Sequence, residues 1–278
     1  METGIATFRK LTCSHRRVAA LFLAAALFAA SPVAAQQTDE SESIDLELLI
    51  SMDVSHSITF AEHEAQIEGV ARAFEHPRLI NSIRNLRGGR AAVALMLWAG
   101  PENHLLAVPW TVIRDTETSY AFARALRQQK EPPWKGLSFT AVGDALLRGA
   151  EAIAANRFRG VRRVIDISGD DPSNQGVDVA EARDLVVLQG VVINGLPILQ
   201  DRQEHEQREE LVRYFETEVT GGNGHFVLPT IDFLDYPRAM LAKLVTEVSG
   251  VAPDPREQHA WRRGLSPSAG PSPERVRR

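Results

Sequence analysis

Cysteine is almost missing from this 278-residue chain, whose one thiol, Cys13, stands near the amino end. Disulfide frameworks, thiolate metal sites and cysteine nucleophiles are thereby excluded from the rest of the chain. Missing too is any apolar run of the roughly 20 residues that a membrane-spanning helix needs. The longest run, residues 18–30, falls well short. Basic charge is in deficit, with 31 Lys and Arg against 36 Asp and Glu and a net charge of −5. Without a basic stripe, nucleic acid is not an expected partner, because its phosphates demand clustered Lys and Arg. No G-x-S-x-G elbow or HExxH pair occurs, and the eight histidines show no ligand spacing. The glycines at 221, 222 and 224 follow a helical segment and precede a strand, the wrong order for a nucleotide loop.

What is present begins with Arg9, Lys10, Arg16 and Arg17, then the apolar run, then Ser31-Pro32-Val33-Ala34-Ala35. That order predicts a signal peptide over residues 1–35, cleaved after Ala35, and an exported protein of the periplasm or the extracellular space. No stable membrane insertion is expected after cleavage; an uncleaved amino-terminal anchor is the alternative. Arg16-Arg17 leaves general secretion and twin-arginine export both open. The residues after 35 carry 27 basic and 35 acidic groups, net −8. About 240 residues at 44% hydrophobic overall suffice for one α/β domain with a proper core.

Residues 36–43 read as a short linker and 44–250 as that domain. Beyond it, Pro253, Pro255, Pro267, Pro271 and Pro273 with serines and arginines predict a disordered tail over 251–278. Its arginines are interrupted by Asp254, Glu257 and Glu274, as in a solvated tail rather than a membrane-binding one.

Within 44–250, short runs of branched apolar residues alternate with segments of helical period. Strands are expected at 46–52, 91–98, 104–113, 161–167, 191–194 and 226–228. Helices are expected at 60–74, 119–129, 141–155, 179–188, 209–218 and 238–248. The linker 100–103 is short enough for a hairpin, so one strand must run antiparallel. The expected architecture is α/β: a doubly wound, mostly parallel six-stranded sheet with one antiparallel edge strand and helices on both faces.

Ligands of such sheets bind beyond the carboxyl ends of the strands. Three places there carry hard oxygen donors: Asp53-Val54-Ser55-His56-Ser57 after the first strand, Thr140 after a proline-rich loop, and Asp170-Asp171 after the fourth strand. A divalent cation such as Mg²⁺ takes about six oxygens, of which one or two belong to carboxylates. Alternate residues of a chain leaving a strand share a direction, which points Asp53, Ser55 and Ser57 toward one crevice. The competing reading makes these hydroxyls helix caps; it explains Ser57 and Thr140 one at a time but not Asp53 and Asp170.

The D-x-S-x-S run, the later threonine and the aspartate after strand four resemble the metal-ion-dependent adhesion site of von Willebrand factor A domains, over roughly residues 44–250. Residues 162–170, 193–198 and 219–227 are similar to an uncharacterised group of exported bacterial proteins with this fold, a domain of unknown function. The resemblance implies that Ser55, Ser57 and Thr140 coordinate Mg²⁺ (or Mn²⁺) directly and that Asp53 and Asp170 act partly through water. It also implies that a protein partner presenting Asp or Glu completes the shell. Where the family pattern has glycine after the site aspartate, this chain has Asp171, which can tighten the ion or distort the turn. His56, Trp134 and Asp171 are candidate partner contacts.

Asp166, inside a central strand, is expected to be a hydrogen-bonded structural carboxylate. A binding module rather than an enzyme is the expected class. A Mg²⁺-dependent phosphohydrolase with Asp53 as nucleophile is the enzymatic alternative, but its general acid two residues on would be Ser55, whose pKa is far too high. The third alternative is a structural domain without bound metal.

Overall fold

A computed structural model describes residues 42–134, 139–200, 205–251 and 253. The chain divides into Met1–Thr38 and Asp39–Arg278. The expected signal peptide lies outside the described residues, as do the expected linker except residues 42 and 43 and the tail except 251 and 253.

The described residues form a three-layer α/β sandwich. Five strands, β1 (Glu42–Asp53), β2 (Ala91–Trp98), β3 (His104–Ile113), β4 (Phe158–Gly169) and β5 (Val192–Pro197), lie in the order β3-β2-β1-β4-β5. All neighbours are parallel except β2 and β3, the hairpin at one edge. β1 is central and buried from Leu46 to Asp53, so its apolar residues fill both faces, with Glu47, Ser51 and Asp53 buried among them.

The sheet separates two cores. Leu48, Ile50 and Met52 of β1 pack with α1 (Phe60–Glu75), α2 (Pro77–Arg84), α3 (Thr116–Leu126) and α7 (Tyr236–Ser249). Leu49 packs on the opposite side with α4 (Val142–Ala154), α5 (Val179–Leu188) and α6 (His205–Tyr214), which continues as a π-helical turn, Phe215–Val219. Truncating a buried side chain such as Ile50 to alanine costs about 2–5 kcal/mol.

Local chemistry sets the helix starts. Thr59 and Glu62 form a reciprocal capping box at α1, and Asp115 with Thr118 form another at α3. Asp178 caps α5 by accepting the Glu181 N–H at 2.9 Å.

The expected sixth strand is not one. Residues 221–230 run beside β5 through three isolated bridges, Ile193 to Gly221, Gly195 to Val227 and Ile198 to Thr230. The first is antiparallel and the others parallel, because Gly222 (φ 92°) and Gly224 (φ 77°) turn the chain between them. Pro229, with no N–H, adds a break in any ladder. The sheet therefore has five strands with this segment along its β5 edge.

Asp166 is buried in a charged group reaching across to α7. Lys243 Nζ donates to Asp166 Oδ1 and, at 2.6 Å, to Glu247 Oε1, while Asn194 Nδ2 donates to Glu247 Oε1 at 3.1 Å. Burial first, and the Asp166 charge next, push the Glu247 carboxyl up to about 8, against the pull of Lys243. Arg162 closes the carboxyl end of α7 by donating to the Glu247 and Val248 carbonyls, each at 2.7 Å.

Candidate functional site

Three segments leave the carboxyl end of the sheet side by side. β1 ends at Asp53 and runs through residues 54–59 into α1; residues 139–141 lead into α4; β4 ends at Gly169 and is followed by Asp170. Main-chain bonds tie the first two to the end of β2: the Val54 N–H donates to the Trp98 carbonyl at 2.9 Å and the Ala141 N–H to the Ala99 carbonyl at 2.8 Å.

The five oxygen-bearing residues singled out in the sequence meet there. Thr140 Oγ1 donates to Ser55 Oγ at 3.3 Å, the Ser55 and Ser57 hydroxyls lie 3.2 Å apart, and Ser57 Oγ donates to Asp170 Oδ1 at 2.8 Å. Asp53 Oδ1 accepts the Ser55 N–H at 2.7 Å. The other oxygen, Asp53 Oδ2, is buried with no hydrogen-bond partner among the described residues. Hydroxyl pairs ordinarily sit at 2.7–2.8 Å, so these oxygens converge on a shared crevice more than they satisfy one another.

Capping does not account for this arrangement. The cap of α1 is Thr59 rather than Ser57, and the N-cap residue of α4 is Ala141, which makes no side-chain cap hydrogen bond. The α4 N–H at Val142 is taken instead by Ser173 Oγ, at 3.2 Å. The Thr140 hydroxyl is thereby left to face Ser55.

Electrostatics favour a cation. Burial first, then the Asp170 charge, with Asp171 adding, hold the Asp53 carboxyl well above the usual range; the Ser55 hydrogen bonds oppose them. Asp170 is pushed up to about 6, by burial first, with Asp171 and Glu62 adding and Ser57 opposing. The leading charges acting on both carboxylates are other carboxylates, the situation a bound cation relieves. Among the described residues no group of three or more His, Cys, Asp and Glu is placed to hold a metal. Two carboxylates with three hydroxyls are a different set, suited to a hard cation that keeps water ligands.

Residues that sequence reading passed over support this set. Gln66, buried on α1, donates to the Asp53 carbonyl at 3.4 Å. Asn174 Oδ1 accepts the Thr140 N–H at 3.0 Å, and Ser173 Oγ donates to the Thr140 carbonyl at 3.1 Å. A Cβ on Gly169 would stand 3.2 Å from Asp53 Oδ2, so the glycine leaves that carboxylate its room. None of these carries a motif; only the helix starts and strand register reveal them.

Of the partner-contact candidates, His56 is exposed beside Ser57 and Asp171 is half-buried beside Asp170. Trp134 is half-buried too, but it packs against the core on the α1 side of the sheet.

The family model described as "Protein of unknown function (DUF1194)" matches residues 43–252. The chain belongs to this family. No curated protein matches its sequence. Among solved structures the fold is similar to that of proximal thread matrix protein 1 from the mussel byssus, with zinc in its metal-ion-dependent adhesion motif. That match has 18% identity and a TM-score of 0.54, over 76% of this chain and 49% of the mussel chain. This chain therefore spans about half the length of that relative.

A second similar structure is the von Willebrand factor domain of a type V pilus tip protein from Porphyromonas gingivalis. It has 10% identity and a TM-score of 0.50, over 76% of this chain and 97% of that one. A pilus adhesin from Lactobacillus rhamnosus GG matches at 13% identity and a TM-score of 0.50, over 74% of this chain and 30% of the adhesin. The fold is that of a von Willebrand factor A-like domain.

Proposed function

We propose that this chain is an exported protein-binding module in which Asp53, Ser55, Ser57, Thr140 and Asp170 hold Mg²⁺ or Mn²⁺. A protein ligand presenting Asp or Glu completes the ion's shell. The observation that carries this reading is the hydrogen-bonded run Thr140, Ser55, Ser57, Asp170 with the orphaned Asp53 Oδ2 beside it.

A bound divalent cation supplies the positive centre that attracts a partner's carboxylate. The chain's own residues do the rest. The hydroxyls would give the ion neutral oxygen donors directly while Asp53 and Asp170 act partly through water, so no carboxylate of the chain fills the inner shell and a position there stays open to one more anion. Asp53 and Asp170 supply charge from buried and half-buried positions, and Gln66, Ser173 and Asn174 hold the segments that carry the donors.

Export is supported by the charged, apolar and small-residue order of the first 35 residues. Among the described residues no helix is long and apolar enough to cross a membrane. The pilus and byssus proteins of similar fold support an adhesive role, and Ser55 in place of a second carboxylate speaks against phosphoryl transfer.

The test is retention of partner proteins from an envelope extract on the immobilised protein in millimolar Mg²⁺. Retention is expected to be lost in chelator and in Thr140→Ala. Retention that ignores chelator, or turnover of p-nitrophenyl phosphate that depends on Asp53, would overturn the reading.

A further inference from the structure

The Asp53 carboxylate stands in the middle of the sheet end, and its neighbour across the β1–β2 ladder is Trp98. Residues paired in register on adjacent strands project to the same face. That face is the α4 side, where Trp98 packs among Leu49, Met96, Val142 and Leu146. Ser51, two residues before Asp53 on β1, projects there as well. All three side chains are buried, Asp53 and Ser51 at 0% and Trp98 at 1% exposure.

Each carries one polar atom without a hydrogen-bond partner among the described residues: Ser51 Oγ, Asp53 Oδ2 and Trp98 Nε1. The three stand at adjacent positions of one buried face, with His104 Nε2 a further such atom opposite Trp98 on β3. Buried polar groups are nearly always paired, and an indole N–H costs free energy if left alone. The set is complementary, with one obligate donor in the indole, acceptors in the carboxylate, and a hydroxyl that does either. A single buried water makes about three hydrogen bonds of this kind.

We infer that Trp98 is a positioning residue for Asp53: its indole N–H, the Ser51 hydroxyl and Asp53 Oδ2 share one buried water that fixes the carboxylate from behind. A carboxylate oxygen has two lone-pair directions, so Oδ2 takes this bond on the core side and still faces the crevice. The Ser55 N–H holds Oδ1 from the other side, which leaves the carboxylate one orientation. The inference rests on the metal-binding reading for its consequence, since groups that hold a metal ligand typically change affinity by about 10–100-fold when removed. Its structural part stands without any metal.

The experiment uses ¹⁵N-labelled tryptophan in the metal-free protein. Its indole N–H resonances come from Trp98, Trp110, Trp134 and Trp261, and Trp98→Phe identifies the first by its loss. Asp53→Asn and Ser51→Ala are each expected to move the Trp98 resonance more than any other indole. Separately, Trp98→Phe, which keeps a ring in the core, is expected to weaken Mg²⁺ binding at least tenfold. A Trp98 resonance unmoved by both Asp53→Asn and Ser51→Ala, or Mg²⁺ affinity within twofold of wild type in Trp98→Phe, would overturn the inference. Wild-type protein that binds no Mg²⁺ while the resonance still follows Asp53→Asn would support the link to Asp53 and sink the metal reading alone.

Discussion

Ser57 Oγ donates to Asp170 Oδ1 at 2.8 Å across 113 positions of sequence, joining the loop after the first strand to the loop after the fourth. The parallel pairing of β1 and β4 places those loops next to each other, and the bond makes them one site. Ser57→Ala is therefore expected to weaken Mg²⁺ binding by at least about tenfold, with little change in melting temperature, since Ser57 is exposed. Calorimetric titration beside a thermal melt checks both halves.

Asp53 and Asp170 repel when no cation lies between them, and burial raises the cost of ionising either. Asp53→Asn should accordingly raise the melting temperature of chelator-treated protein at neutral pH, by about 2–4 °C for each kcal/mol of strain relieved. It should also abolish the stabilisation by added Mg²⁺. Equal melting of the two proteins in chelator would show that the carboxylates are already compensated from within.

Gly169→Ala places a methyl group 3.2 Å from Asp53 Oδ2. Gly169 has no left-handed backbone to lose, so the substitution tests space alone. Metal affinity should fall while the fold holds, and an affinity equal to wild type would mean that Asp53 has another position open to it.

The charged group under α7 makes two further predictions. Lys243→Met leaves Asp166 and Glu247 buried without their cation and should cost about 3–5 kcal/mol by urea unfolding. For pH, the raised Glu247 carboxyl means that the folded protein holds a proton that the unfolded chain has released. Stability must then fall as pH rises from about 4.5, the ordinary value, through about 8. Relative to Glu247→Gln, the wild type should lose roughly 1–4 kcal/mol over that window, and parallel stability profiles would contradict the shift.

Much of this was legible in the sequence because the features are local. The β2–β3 hairpin shows as two branched runs on either side of Gly100-Pro101-Glu102-Asn103, and the strands match Ala91–Trp98 and His104–Ile113. Asp53, Ser55 and Ser57 stand at alternate positions after an apolar strand, a pattern that needs no tertiary knowledge. What was hidden depends on packing. α2 goes unseen because its eight residues follow α1 after His76 alone, a cap that serves one helix end and the next helix start. Residues 226–228 are as apolar as a strand, yet the glycine turn before them and Pro229 after them limit pairing to single bridges. Lys243 and Glu247 look like surface residues of a helix; only the Asp166 carboxylate opposite turns them inward. Trp134 follows two prolines in a loop expected beside the ion, and it is half-buried against the core that includes α1.

The central claim is that three hydroxyls and two carboxylates act as one cation site, and calorimetric titration of Mg²⁺ and Mn²⁺ into four proteins tests it most directly. Wild type should bind one ion per chain, Ser55→Ala and Thr140→Ala should bind at least about tenfold more weakly, and Asp53→Ala should bind weakest, all with the fold intact. Equal affinity in all four proteins, or no binding by wild type at millimolar Mg²⁺, would contradict the account.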